Sequence, residues 1–254
     1  MSNRQEREVR QEKQIEVTYG WQVTLYSLLN KILNKETQMN IQPNSKLVMI
    51  GDSITDTNRK QPIGEGRLDA LGTGYVSLVD ALLTAGYPTH QIRVVNVGTS
   101  GNTVRDLRDR WQTDVIDLEP DWLSIAIGIN DVWRHFDSPV QIELHVPLDE
   151  YARILEELIQ TVRPTLKGLI LMTPYFIEPN RTDAMRVMME QYADIVRGLA
   201  EKYDAHLVDT QAAFDEVLEH IHPMTLAWDR VHPNRTGHMI LTRAFLNAID
   251  YSWS

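Results

Sequence analysis

Three side chains in this sequence could together do chemistry that none does alone. Ser53 stands in VMIGDSITD (48–56), directly behind an apolar run, while Asp229 and His232 stand three positions apart in AWDRVHPNRTGH (227–238). A serine hydroxyl is a poor nucleophile at neutral pH. It needs a base to take its proton, an acid to orient that base, and donors for the oxyanion that forms. An aspartate three residues ahead of a histidine can reach back to the imidazole in a looping segment, hold its tautomer and stabilise its protonated form. Taken alone, Gly51, Asp52 and Ser53 read as turn formers, and a lone histidine reads as structural.

Two further stretches offer oxyanion donors. In IGINDVW (127–133), Asn130 carries a side-chain N–H that can meet developing negative charge, although Asx-turn or helix-cap duty fits it equally well; Asp131 reads as the capping residue of the pair. In NVGTSGNT (96–103), Gly98 and Gly101 bracket a turn into a helix beginning at Thr103, where bare N–H groups lie open to a ligand. Gly98 is read as a tight-turn glycine.

The elements that must position these groups follow from the hydrophobic pattern. Short apolar runs at 46–50, 92–97, 122–127, 168–172 and 206–209 read as strands. Amphipathic segments at roughly 74–86, 103–118, 148–162, 183–203, 211–220 and 235–249 read as helices. Near-continuous Val, Ile and Leu runs alternating with helices predict a parallel sheet buried on both faces, hence a doubly wound, three-layer α/β/α sandwich with five strands. Ligands of such sheets bind beyond the carboxyl ends of the strands, where Ser53, Gly101 and Asn130 all stand. Asn234 is a good N-cap for the last helix. The polar loop 54–73 is unusually long, which marks a functional rim.

Composition narrows the partners. The 254 residues carry a net charge of −10, which leaves no basic surplus for a phosphate backbone, so nucleic acid is not an expected partner. With no cysteine there is no disulfide, thiol catalysis or Cys-ligated zinc. No run approaches the ~18 apolar residues of a membrane span, and the charged N-terminus does not read as a secretory signal; a cytoplasmic protein without a membrane partner is expected.

Residues 1–38 differ from the remainder, 39–254. Met1 to Glu16 is nearly all charged or amide, a composition that favours disorder. Trp21, Leu25, Leu28, Leu29, Ile32 and Leu33 follow at the spacing of an amphipathic helix. Lys35-Glu36 can be encoded AAG-GAG shortly before Met39, as a bacterial ribosome-binding site would look in translation. The natural start is therefore expected at Met39.

The four stretches together, serine in GDS, glycine in SGNT, asparagine in GIND and histidine in DRVH, resemble the SGNH/GDSL hydrolase superfamily over about 46–250. GEGRLDALGTGYV (64–76), SGNTVRDL (100–107), IGINDVWR (127–134), DTQAAFDEVL (209–218) and LAWDRVHP (226–233) are similar to intracellular, bacillus-type acetylxylan esterases of that superfamily. The resemblance implies a flavodoxin-like sheet and a serine esterase that deacetylates xylo-oligosaccharides. It further implies Ser53 as nucleophile, His232 as base, Asp229 as its orienting acid, and an oxyanion hole from the N–H groups of Ser53 and Gly101 with the Asn130 amide. It implies no metal or other cofactor, an acetylated oligosaccharide as partner, and a homo-oligomer.

Candidate substrate contacts are Trp133 and Trp228, which flank motif residues and could stack on a sugar ring or make core or subunit contacts, and Arg134 and Tyr175 as rim residues. Asp52 is carried with them, although its side chain should point away if Ser53 points in and so fix the turn. Trp111 and Trp122 are assigned to the core; His135, His145, His220, His222 and His238 are given no catalytic role. Two alternatives remain: a lysophospholipase or thioesterase of the same superfamily, and a metal-dependent phosphoesterase using Asp52, Asp56, Asp229 and His232. A non-catalytic carbohydrate-binding protein would not need the serine, asparagine and histidine set.

Overall fold

The computed structural model describes residues 39–253; the helix expected between Trp21 and Leu33, and the question of a start at Met39, lie outside them. Strand β1 (Lys46–Gly51) is buried from Leu47 onward and occupies the middle of a five-stranded sheet. It pairs in parallel with β2 (Arg93–Asn96) on one side and β3 (Trp122–Ala126) on the other, so that Leu47 lies opposite both Val94 and Trp122. Strands β4 (Gly168–Met172) and β5 (His206–Val208) extend the sheet beyond β3, giving the order β2-β1-β3-β4-β5, parallel throughout.

Both faces of the sheet are covered, which is why β1 and β4 need unbroken apolar runs. Helix α2 (Tyr75–Gly86) packs against the last helix, α8 (Arg235–Ala248), which also contacts α7 (Thr210–Leu218). On the other side α3 (Val104–Trp111) packs on α5 (Leu148–Val162), and α5 on α6 (Ala184–Lys202). The chain leaves β1 for β2 in one direction, then crosses back to place β3 on the opposite side of β1. That reversal opens a crevice at the carboxyl ends of β1 and β3, where doubly wound sheets bind their ligands.

The strand and helix expectations hold, with ends trimmed by one or two residues at β2, β3 and β5. The expected helix at 103–118 is α3 followed by a wider π-type turn at Gln112–Ile116. Two helices were not anticipated: the one-turn α1 (Ser53–Asp56), at the start of the stretch read as loop, and α4 (Ile129–Asp137), which follows β3 after Gly128 without a side-chain cap. The cap candidates of α4, Asn130 and Asp131, lie inside the helix instead of ahead of it, and the helix places Asn130, Trp133, Arg134 and Asp137 on one face. Trp111 and Trp122 lie in the core, their indole N–H groups satisfied by Thr161 and Gln42.

The long loop after Ser53 is pinned from below rather than loose. Buried Arg59 donates to the carbonyls of Gly98, Lys60 and Pro62, and the Asn96 amide donates to Thr55 O and Leu71 O. Thr57 and Asn58 of this loop reach the crevice. Among the described residues no helix is long and apolar enough to cross a membrane.

Candidate active site

Ser53 opens a one-turn helix, α1 (Ser53–Asp56), immediately beyond β1. Asp52 caps that turn, its Oδ1 accepting the Ile54 N–H at 3.0 Å, and is itself buried. The serine therefore leaves the sheet on a short, fixed helix end. His232 comes from the loop before α8, where the Asn234 side chain caps the helix as expected. The two meet with Ser53 Oγ 2.8 Å from His232 Nε2. Asp229 Oδ2 lies 2.7 Å from the other ring nitrogen, Nδ1.

Asp229 is held by its own loop. Its Oδ1 accepts the N–H groups of Val231 at 3.0 Å and His232 at 2.8 Å. Burial pushes this carboxyl up, but the His232 ring and the two backbone donors outweigh it and leave it below its ordinary value. It stays ionised beside the imidazole. Arg230 makes the intervening turn at φ 64°, the left-handed region that favours glycine, and is held there by an ion pair with Glu178 and by the Phe176 ring beneath its guanidinium.

The expected oxyanion donors come from three segments. Gly101 has φ 83°, open to glycine and strained for other residues, and it lines the cleft with Ser53 and Asn130. The turn carrying it is clamped by Asp56, whose Oδ2 accepts both Ser100 N–H and Ser100 Oγ–H. Asn130 is buried near the start of α4, one amide N–H donated to Asn102 O at 3.0 Å. Gly98 is structural, as read: a Cβ there would lie 2.4 Å from the Asp56 nitrogen.

Arg110 ties these segments together beneath the site. It donates to Gly51 O at the end of β1, to Val97 O beyond β2 and to Asn102 Oδ1 in the glycine turn, and it pairs with Asp114. The sequence reading gave no weight to this residue; nothing in its local pattern distinguishes it from a surface arginine on α3.

The crevice is an open cleft of about 410 Å³, lined by Ser53, Gly101, Asn130, Trp133, Arg134 and His232 together with Thr57, Asn58, Pro233 and His238. Trp133 stands beside His232, ring centroids 5.7 Å apart and tilted by 53°. Three of the expected substrate contacts lie elsewhere. Tyr175 is buried, not on the rim: its OH donates to Val231 O and its ring packs on Phe214, so it props the histidine loop from below. Asp52 is turned inward by its cap, and burial raises its carboxyl to about 6. Trp228 is 81% exposed and does not line the cleft. His238, set aside in the sequence, does line it; its Nδ1 accepts the Tyr75 N–H, and burial with the nearby His232 lowers it to about 4, so it is neutral.

The four residues of the metal reading do not converge. Asp52 caps α1, Asp56 holds Ser100, and Asp229 is committed to His232; among the described residues no three such donors gather into a metal-binding group.

A model of the GDSL-like lipase/acylhydrolase family matches residues 49–240. An acetylxylan esterase of Geobacillus stearothermophilus is 57% identical over 215 residues, 85% of this chain and 98% of that protein. The crystal structure of an acetylxylan esterase from Geobacillus stearothermophilus superposes with a TM-score of 0.84 at 57% identity, covering 85% of this chain and 98% of the other. Structures of catalytic mutants of that enzyme replace a serine, an aspartate and a histidine by alanine. An α/β hydrolase enzyme from the metagenome of Lake Arreo, Spain, is 53% identical with a TM-score of 0.83, covering 85% and 100%. The chain belongs to the GDSL-like lipase/acylhydrolase family and is a serine ester hydrolase.

Proposed function

We propose that this hydrolase removes O-acetyl groups from xylo-oligosaccharides or related acetylated sugars through an acetyl-Ser53 intermediate. The observation that carries the chemistry is the unbroken line from Ser53 Oγ through His232 to Asp229, with contacts of 2.8 and 2.7 Å, facing an open cleft. The acetylated sugar is the substrate class named for the 57% identical relative.

Ser53 Oγ attacks the ester carbonyl while His232 Nε2 takes its proton, and Asp229 stabilises the imidazolium. The tetrahedral oxyanion sits among the backbone N–H groups of Ser53 and Gly101 and the free N–H of Asn130. Collapse breaks the bond to the sugar oxygen, which receives the proton from His232. Water, deprotonated by His232, then attacks the acetyl group; acetate leaves and Ser53 recovers its proton.

The cleft at Ser53 is open and mixed in its lining, with Asn58, Asn130, Arg134 and His232 beside Ile54 and Trp133, a setting that suits a small acyl group on a hydrated sugar. Trp133 offers a half-buried aromatic face to a sugar ring beside His232. The proposal includes self-association: Trp228 and Trp253 are 81% and 48% exposed, and indoles so placed favour a second copy of the chain.

Acetate release from acetylated xylo-oligosaccharides, run beside aryl esters of increasing acyl length, tests this reading. Release by wild type, preference for the two-carbon acyl group, and silence of Ser53→Ala with chelator present are expected. Retention of long-chain aryl esters without sugar activity would point to a lipid or thioester substrate instead.

A further inference from the structure

We infer that Arg134 is a positioning residue for the oxyanion hole, holding the Asn130 side chain so that its N–H, not its carbonyl, faces the cleft. This rests on the serine-esterase reading and adds a residue to its machinery. The two ends of an amide are nearly the same size, but only one can receive an oxyanion. A flipped Asn130 would present Oδ1 to developing negative charge and repel it.

Two contacts decide the flip. Arg134 Nη2 donates to Asn130 Oδ1 at 3.1 Å, and Asn130 Nδ2 donates to Asn102 O at 3.0 Å. A guanidinium has donors and no acceptor, so it tolerates only the carbonyl end beside it. A backbone carbonyl tolerates only the NH2 end. The second N–H of Nδ2 is then left for the cleft.

Arg134 is itself restrained, as a positioning group must be. It lies one helical turn from Asn130 on α4, pairs through Nη1 with Asp137, and rests its guanidinium over the Trp133 ring at 5.5 Å. Its charge also polarises the amide it touches. A carbonyl bonded to a cation makes the N–H of the same amide a stronger donor, so the arginine acts on the oxyanion through Asn130.

The test is a double-mutant cycle on kcat with 4-nitrophenyl acetate, using Asn130→Ala, Arg134→Gln and the pair together. Arg134→Gln should lower kcat by about ten- to a hundredfold with KM held, the size expected for losing a hydrogen bond from a charged donor. In the Asn130→Ala background the same change should cost nothing further. Arg134→Lys, which keeps the charge but not the fork, should fall between wild type and Arg134→Gln. Losses that multiply would overturn the inference. So would a raised KM with kcat intact, which would make Arg134 a substrate contact. Thermal midpoints monitor folding, and if Arg134→Gln does not fold the cycle is run with Arg134→Lys. Should Ser53→Ala prove as active as wild type, the esterase mechanism fails on its own, whatever the cycle shows.

Discussion

Asp131 Oδ1 accepts the backbone N–H of Val104 at 3.0 Å, so the acid of the GIND motif caps the helix that follows the SGNT turn, not its own. One carboxyl thereby locks the segment carrying Asn130 to the segment carrying Gly101. Asp131 is fully buried and its Oδ2 has no partner. Burial pushes its carboxyl up to about 7 against the downward pull of the Val104 N–H. Because the folded value lies above the ordinary 3.8, the acid favours the fold in its neutral form, and that contribution is lost as pH rises through about 7. Wild type should therefore lose thermal midpoint as pH rises from the ordinary 3.8 to about 7, and level off above that. Asp131→Asn, neutral throughout, should show a flatter profile by calorimetry; equal slopes would mean the acid is ionised in the fold.

The Asp229–His232 pair predicts a tautomer effect. Asp229→Asn keeps the shape of the loop but removes the anion that holds the ring with Nε2 as acceptor. Turnover should fall by about 10,000-fold, with KM little changed. A fall of only a few-fold in steady-state kinetics would mean the carboxylate is not needed to orient the base.

Asn130→Ala deletes one proposed oxyanion donor and leaves the Ser53–His232 contact in place. A loss of roughly 100- to 1000-fold in kcat is expected, again without a matching change in KM. If KM carries the loss instead, the amide binds the ground state and is no part of an oxyanion hole.

Arg110 should reveal itself in stability and activity together. Its fork meets Gly51 O, Val97 O, Asn102 and Asp114, and a lysine cannot reproduce four contacts from one ammonium. Arg110→Lys should lower unfolding free energy by about 2–4 kcal/mol in urea titration, since buried acceptors lose a charged donor, and should also lower kcat. Unchanged stability would show that the strand ends and the glycine turn hold their places without it.

Much of this was legible in the sequence because its signals are local. Apolar runs alternating with amphipathic segments dictate a parallel sheet covered on both faces, since only that arrangement buries them. Ser53 behind β1, Gly101 after β2 and Asn130 after β3 stand at strand ends by connectivity alone, and Asp229 can reach His232 because only two residues separate them. The long-range facts had no such signature. Tyr175 could not be told from a rim residue, because its burial is set by Phe214 and Val231, each more than thirty-five residues away. Asp131 and Arg110 act across helix boundaries on partners that only packing brings within 3 Å or so, and Arg134 reaches Asn130 within α4, a helix the hydrophobic pattern did not announce. The sequence by itself determined which groups could react and in what order the strands deliver them. Tertiary structure decided which way each group faces, because orientation depends on hydrogen-bond partners that come from other strands and helices.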